Sequence, residues 1–146
     1  MYGALVVLSL LAWDTAKTPE GTRYGVAPDL TLFPQGKPEE TMASILKAIE
    51  MKKWDYLAAQ LADPNFIDQR VKIFGGRFAD QVDDMRARLD PSTVKLLQRF
   101  QKDGEWRKAA KETMVALKDM PDRFLFFRKI GDRWYLEHRS KPAKAE

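Results

Sequence analysis

The chain has 146 residues, 45% of them apolar and 32% charged, the composition of one globular domain able to bury an ordinary core. Its 25 basic and 21 acidic side chains are interspersed and leave a formal charge of +4, too mild a field to mark a dedicated nucleic-acid binder. There is no cysteine and a single histidine, His138, which excludes disulfides and cysteine nucleophiles and leaves the usual zinc sites without ligands.

Residues 2–13, YGALVVLSLLAW, form an apolar run. It is shorter than the roughly 20 residues that cross a bilayer, and it suits the apolar stretch of a secretory signal. The expectation is a signal-like or anchor segment at 1–13, and hence a secreted, periplasmic or membrane-anchored protein. No Lys or Arg precedes the run, and a cleavage after Ala12 or Ala16 would have Leu10 or Asp14, not a small residue, at the third position before it, so a helix or strand docked on the core competes with export. Residues 14–36 hold Pro19, Gly21, Gly25, Pro28 and Pro34 without a sustained apolar period and read as a linker or extended arm. The folded domain is expected over 37–140, with a flexible tail at 141–146.

Pro38, Glu39 and Glu40 suit a helical first turn, and Met42, Ile45, Leu46 and Ile49 repeat at helical spacing behind them. Trp54, Leu57, Ala58 and Leu61 restart the stripe on a second short helix that Asp63-Pro64 ends. Phe66, Ile67, Val71 and Phe74 predict a brief third helix before Gly75-Gly76. Phe78, Val82, Met85 and Leu89 then predict a fourth, and Val94, Leu97 and Phe100 a fifth that Gly104 stops. Over residues 105–118 the spacing of Trp106, Ala109, Ala110, Thr113, Met114 and Leu117 also fits a helix, so periodicity leaves helix and strand open there.

The segment FLFFRKIGDRWYLEHR, Phe124 to Arg139, predicts a hairpin about Gly131-Asp132. A two-residue loop sets Phe127 opposite Leu136, Lys129 opposite Trp134 and Leu125 opposite His138 on one side. The other side carries Phe124, Phe126, Arg128 and Ile130 with Arg133, Tyr135, Glu137 and Arg139, a mixture suited to a wet or partly covered surface, on which Arg133 is dispensable for stability. The arginines then need no nucleic acid, although basic and aromatic side chains also alternate on single-strand-binding sheets.

The segment PEETMASILKAIEMKKWDYLAAQLADP resembles the opening helices of the nuclear transport factor 2-like superfamily, which includes the SnoaL-like and ketosteroid-isomerase-like proteins. The closing FFRKIGDRWYLEHR resembles its last hairpin, and Ala62 to Val71 resembles a segment of small exported bacterial proteins of unknown role. The resemblance implies an α+β cone in which N-terminal helices pack in a curved antiparallel sheet of about four strands. It thereby favours strands within 105–118. Such cones host enzymes, ligand binders and oligomerisation modules alike.

In the isomerase-like relatives a Tyr on the first helix stabilises the developing enolate and an Asp moves the proton. Ile45 stands where that Tyr would be, and a methyl group cannot stabilise an oxyanion. Asp68 lies near the place of the Asp base; helix capping or solvation is its ordinary role. The expectation is therefore a non-catalytic module, without cofactor, metal or nucleic acid, that binds a small apolar ligand or a protein partner. The alternative is a small isomerase- or dehydratase-like enzyme using Asp68 or His138. Trp54, Asp68, Phe74, Phe78, Trp134 and His138 are the pocket candidates. Membrane anchoring through residues 2–13 and a homodimer through the sheet are the further associations expected. Asp83-Asp84 has no ligand partner at a metal spacing, Gly75-Gly76 lacks the Lys and Ser/Thr of a phosphate loop, and Ser9, Ser44, Ser92 and Ser140 sit in no nucleophile motif.

Overall fold

The computed structural model describes residues 19–139, so the apolar run at 2–13 and the tail at 141–146 lie outside the described residues. Helix α1, Pro38–Glu50, opens on Pro38, whose missing amide hydrogen leaves nothing unpaired in a first turn, with Glu39 and Glu40 at the positive end of its dipole. It buries Met42, Ile45 and Ala48 along one stripe. Helix α2 starts at Trp54–Tyr56 and widens into a π-turn over Leu57–Leu61, whose five residues are all buried.

Asp63 caps α3, Pro64–Ile73, by accepting the Asn65 amide. Gly75 and Gly76, both at positive φ, return their amides to the Lys72 and Val71 carbonyls and close it. Helix α4, Phe78–Arg88, follows. Asp90 then caps α5, Pro91–Asp103, through the Thr93 amide.

Residues 105–118, where helix and strand competed, form strands β1, Glu105–Lys108, and β2, Glu112–Leu117. The hairpin supplies β3, Met120–Ile130, and β4, Arg133–Glu137. The sheet runs β1-β2-β3-β4, all antiparallel, after the helices, so the architecture is α+β as expected. The predicted hairpin register is present: Phe127 faces Leu136, Lys129 faces Trp134, and Gly131 takes a φ of 63° in the turn. The pairing of β2 with β3 shifts between Ala116 and Leu117, leaving Pro121 to Arg123 outside the register and bending the sheet.

Gly104 ends α5 for another reason than the sequence suggests. Its φ of −68° suits any residue, but a Cβ there would lie 2.3 Å from the Phe100 carbonyl oxygen and 2.4 Å from Val115 Cγ1. The close approach of α5 to β2 therefore requires glycine.

One face of the sheet, with Val115, Leu117, Phe127 and Trp134, packs on Met42 and Ile45 of α1, on Leu57 and Leu61, and on Leu97 and Phe100 of α5. The described part of the linker or arm, residues 19–36, packs on this body: Phe33 is in the core and stacks on Tyr56 at 4.4 Å. On the other face Phe126 and Tyr135 lie under arginines, with Arg139 4.0 Å from the Phe126 ring centre and Arg133 5.2 Å from that of Tyr135.

Candidate functional site

Two groups of residues are candidates for a site. The first binds the arm to the body. The π-turn and the end of α2 leave the Ala59 and Gln60 carbonyls without helical donors, as the last carbonyls of any helix are left. Arg23 Nε donates to Ala59 O at 3.0 Å, while Gln35 Nε2 and Arg133 Nη2 donate to Gln60 O at 3.1 and 3.2 Å. Gln60 Nε2 in turn donates to the Gly21 and Val26 carbonyls, and Arg133 also donates to the side-chain oxygens of Gln35 and Gln60. Arg133 is thus an anchor of the arm, which corrects its expected place on a wet and dispensable face.

Asp68 belongs to this system. Arg23 Nη2 donates to it at 2.7 Å and the Tyr24 hydroxyl at 2.6 Å, both to Oδ1. Burial alone would raise the carboxyl, but these two hydrogen bonds and the charges of Arg23 and Lys72 outweigh it and hold the Asp68 pKa below the ordinary carboxylate range. The same contact acts oppositely on Tyr24, whose hydroxyl is pushed up by burial, by its bond to Asp68 and by the carboxylate charge. A carboxylate held ionised by an arginine is a poor proton acceptor.

The second group lines a partly open cavity of about 310 Å³ set mainly among α3, α4, α5 and the end of β4, with α1 and α2 contributing one residue each. Ile45, Leu57, Phe66, Met85, Leu97 and Leu136 make most of its wall. Its mouth carries charge: Arg70 on α3 and Arg88 on α4 both approach Asp84, at 3.4 and 2.9 Å. The His138 ring also lines it and stacks on Phe66 with centroids 3.9 Å apart, inclined by 11°. Beyond that stack lies a second hollow of about 320 Å³, which shares Phe66, Met85, Leu136 and His138 with the first and adds Phe124 and Leu125. Gln81, only 2% exposed, reaches the wall of the first cavity, and its Oε1 has no hydrogen-bond partner.

The structure separates the six pocket candidates. His138 alone lines the cavity. Trp134, 6% exposed, is core on the sheet's inner face. Phe78 stacks on Tyr24 at 4.4 Å, and Phe74 lies under the Arg70 guanidinium at 5.1 Å. Trp54 is half-buried at the start of α2 and, like Asp68, lies off the cavity wall. The residues missed are Phe66, Met85 and Gln81, although a signal was present for the last. Gln81 falls on the stripe of Met85 and Leu89, one and two turns ahead of them, so a polar residue interrupts an apolar face.

Chemically, the cavity is a mainly apolar container with charge among its lining residues. It offers apolar area and a surplus of one guanidinium charge over Asp84, while Gln81 Oε1 is closed off from it. Among the described residues no group of three or more His, Asp or Glu side chains is placed to hold a metal ion. Comparisons with protein-family models, curated proteins and solved structures give no match to this chain.

Proposed function

We propose that this domain is a non-catalytic binding module whose cavity takes a small, mainly apolar ligand. The observation that carries the reading is the cavity of about 310 Å³ between α3, α4, α5 and β4, at the small end of the range of roughly 300–1,000 Å³ that holds small molecules. A packed core fills its volume. Here the helices leave space beside the sheet, walled by Phe66, Met85 and Leu136 and marked at its mouth by charge. The isomerase-like alternative, which called on Asp68 or His138, loses Asp68, because it lies off the cavity wall in the grip of Arg23 and Tyr24, and keeps only His138 there.

The same proposal places the domain in the nuclear transport factor 2-like superfamily, supported by the quoted segments and by the order of helices before strands. It also places the protein outside the cytoplasm or on a membrane, supported by the apolar run at residues 2–13. Among the described residues no helix is long and apolar enough to cross a membrane. Cell fractionation with N-terminal sequencing tests the location, and recovery of the full-length chain only in the soluble cytoplasmic fraction would refute it.

The binding reading is tested with the fluorescent probe 8-anilinonaphthalene-1-sulfonate, titrated into the folded full chain. Saturable fluorescence is expected in the parent. Met85→Trp, which fills the shared wall of both hollows, should weaken binding about tenfold or more while leaving a cooperative unfolding transition. No saturable signal, or equal binding by both proteins, would remove the cavity as the site.

A further inference from the structure

Resting on that cavity as the binding site, we infer that its ligand class is a single-chain carboxylate amphiphile, with its head at Arg70 and Arg88 and its alkyl chain running past the Phe66–His138 stack into the second hollow. The two hollows, of about 310 and 320 Å³, share Phe66, Met85, Leu136 and His138 and so meet along a common partition. His138 is exposed and follows directly on Glu137, the last paired position of β4. Its ring rests on Phe66 by stacking, and exposed side chains change rotamer readily, so this part of the partition can turn aside. On either side of it the wall is apolar, with Leu57 and Leu97 in the first hollow and Phe124 and Leu125 in the second. An apolar space divided by a ring that can turn suits a flexible chain rather than a rigid block of the same volume.

Charge gives the chain its direction. In the first hollow Arg70 Nη2 and Arg88 Nε both donate to the same oxygen of Asp84, Oδ2, at 3.4 and 2.9 Å, so two guanidinium groups share one carboxylate and one positive charge is left over. In the second hollow the balance is reversed. Arg139 lies between two carboxylates, with Glu137 at 3.4 Å and Glu112 at 3.6 Å, so an anionic head placed there would meet negative charge. Guanidinium groups pair with carboxylates in a planar two-bond geometry, which makes a carboxylate the natural head at Arg70 and Arg88. The head then orients the ligand, and the apolar wall beyond it supplies the affinity through the methylenes it removes from water.

The probes are octanoate, decanoate, dodecanoate and tetradecanoate, with dodecyltrimethylammonium as the cationic control, titrated calorimetrically into the full chain below their micelle-forming concentrations and beside 8-anilinonaphthalene-1-sulfonate. In the parent, affinity is expected to keep rising past octanoate by about fourfold for each added methylene, and dodecanoate to bind several-fold more tightly than the cation. Leu125→Trp, which fills the second hollow and not the first, should leave octanoate unchanged and flatten the gain beyond it. Arg88→Gln should weaken dodecanoate several-fold without weakening the cation. An affinity that stops rising at octanoate in the parent, a rise that survives in folded Leu125→Trp, equal binding of dodecanoate and the cation, or a dodecanoate affinity unmoved by Arg88→Gln overturns the inference. If Leu125→Trp does not fold, the chain-length series in the parent and the comparison of heads decide it. Saturable binding of the fluorescent probe without binding of any alkanoate overturns it while the cavity reading stands. If none of them binds, the cavity reading falls and takes this one with it.

Discussion

Arg133 is expected to matter far more than its position on the outer side of a hairpin suggests. Its Nη2 donates to Gln35 Oε1 at 2.5 Å, to Gln60 Oε1 at 2.9 Å and to Gln60 O at 3.2 Å, and its Nε to Gln35 Oε1 at 3.2 Å. Gln35 and Gln60 are 2% and 0% exposed, so these oxygens have no bulk water to fall back on. In Arg133→Ala the Gln60 carbonyl keeps its bond from Gln35 Nε2, but both carboxamide oxygens lose their donors. Each orphaned buried acceptor costs about 1–3 kcal/mol. Arg133 is itself partly exposed, so water entering the vacated space recovers part of that, leaving a net loss of about 2–4 kcal/mol. Urea unfolding reads this as a fall in the midpoint of about 1–2 M at an ordinary denaturant slope for this size. A double-mutant cycle with Gln35→Leu should show coupling of at least about 1 kcal/mol. A change within about 0.5 kcal/mol for Arg133→Ala, the usual value at a free surface site, would refute the reasoning.

Trp134→Ala, on the inner face opposite Lys129, should cost about 3–5 kcal/mol by the same assay, and a loss below about 1 kcal/mol would mean that β4 is not packed on the core. Gly104→Ala should destabilise by about 1–3 kcal/mol although its φ is ordinary, because the new methyl meets the Phe100 backbone and Val115; a neutral change would show that α5 can move off the sheet freely. For Asp68 the folded pKa is depressed, so the folded state holds its proton less tightly than the unfolded state. Its contribution is present above the ordinary carboxylate range and is lost as the pH falls through the lower folded value. The parent should therefore be more stable than Asp68→Asn near neutrality and lose that margin as the pH falls through the depressed folded value; a margin independent of pH would show that the pairing with Arg23 and Tyr24 contributes nothing.

Local signals gave the helices almost entirely. Pro38, Asp63-Pro64, Gly75-Gly76 and Asp90-Pro91 act within one turn of where they stand, so their effect is readable without the rest of the fold. The hairpin was readable for the same reason, since a two-residue turn fixes its register. Residues 105–118 were not, because the stripe of β2 is completed only by contact with β3 and α5, which lie elsewhere in the chain. The site was the least legible. Asp68 owes its state to Arg23 and Tyr24, 45 and 44 positions away, and Arg133 owes its anchoring role to Gln35 and Gln60. No window on the sequence joins such partners, and the arm that brings them reads as turn-rich filler.

Gln60 and Gln81 show why the apolar space of the cavity, rather than any buried amide, is the place to look for a ligand. Both are glutamines in helical segments and both are almost fully buried. Gln60 donates to two carbonyls of the arm and accepts from Arg133, so its carboxamide is satisfied by the fold itself and offers nothing to an incoming molecule. Gln81 carries the same group with an idle oxygen. Other buried polar atoms without a hydrogen bond have different surroundings: the Glu39 and Glu137 carboxylates have Lys108 and Arg139 beside them, and Thr113 lies away from the cavity. The Gln81 oxygen is closed off from the cavity as well as from bulk water, so it offers nothing to an incoming molecule either, and the case for a ligand rests on the space itself and on its apolar wall of Phe66, Met85 and Leu136.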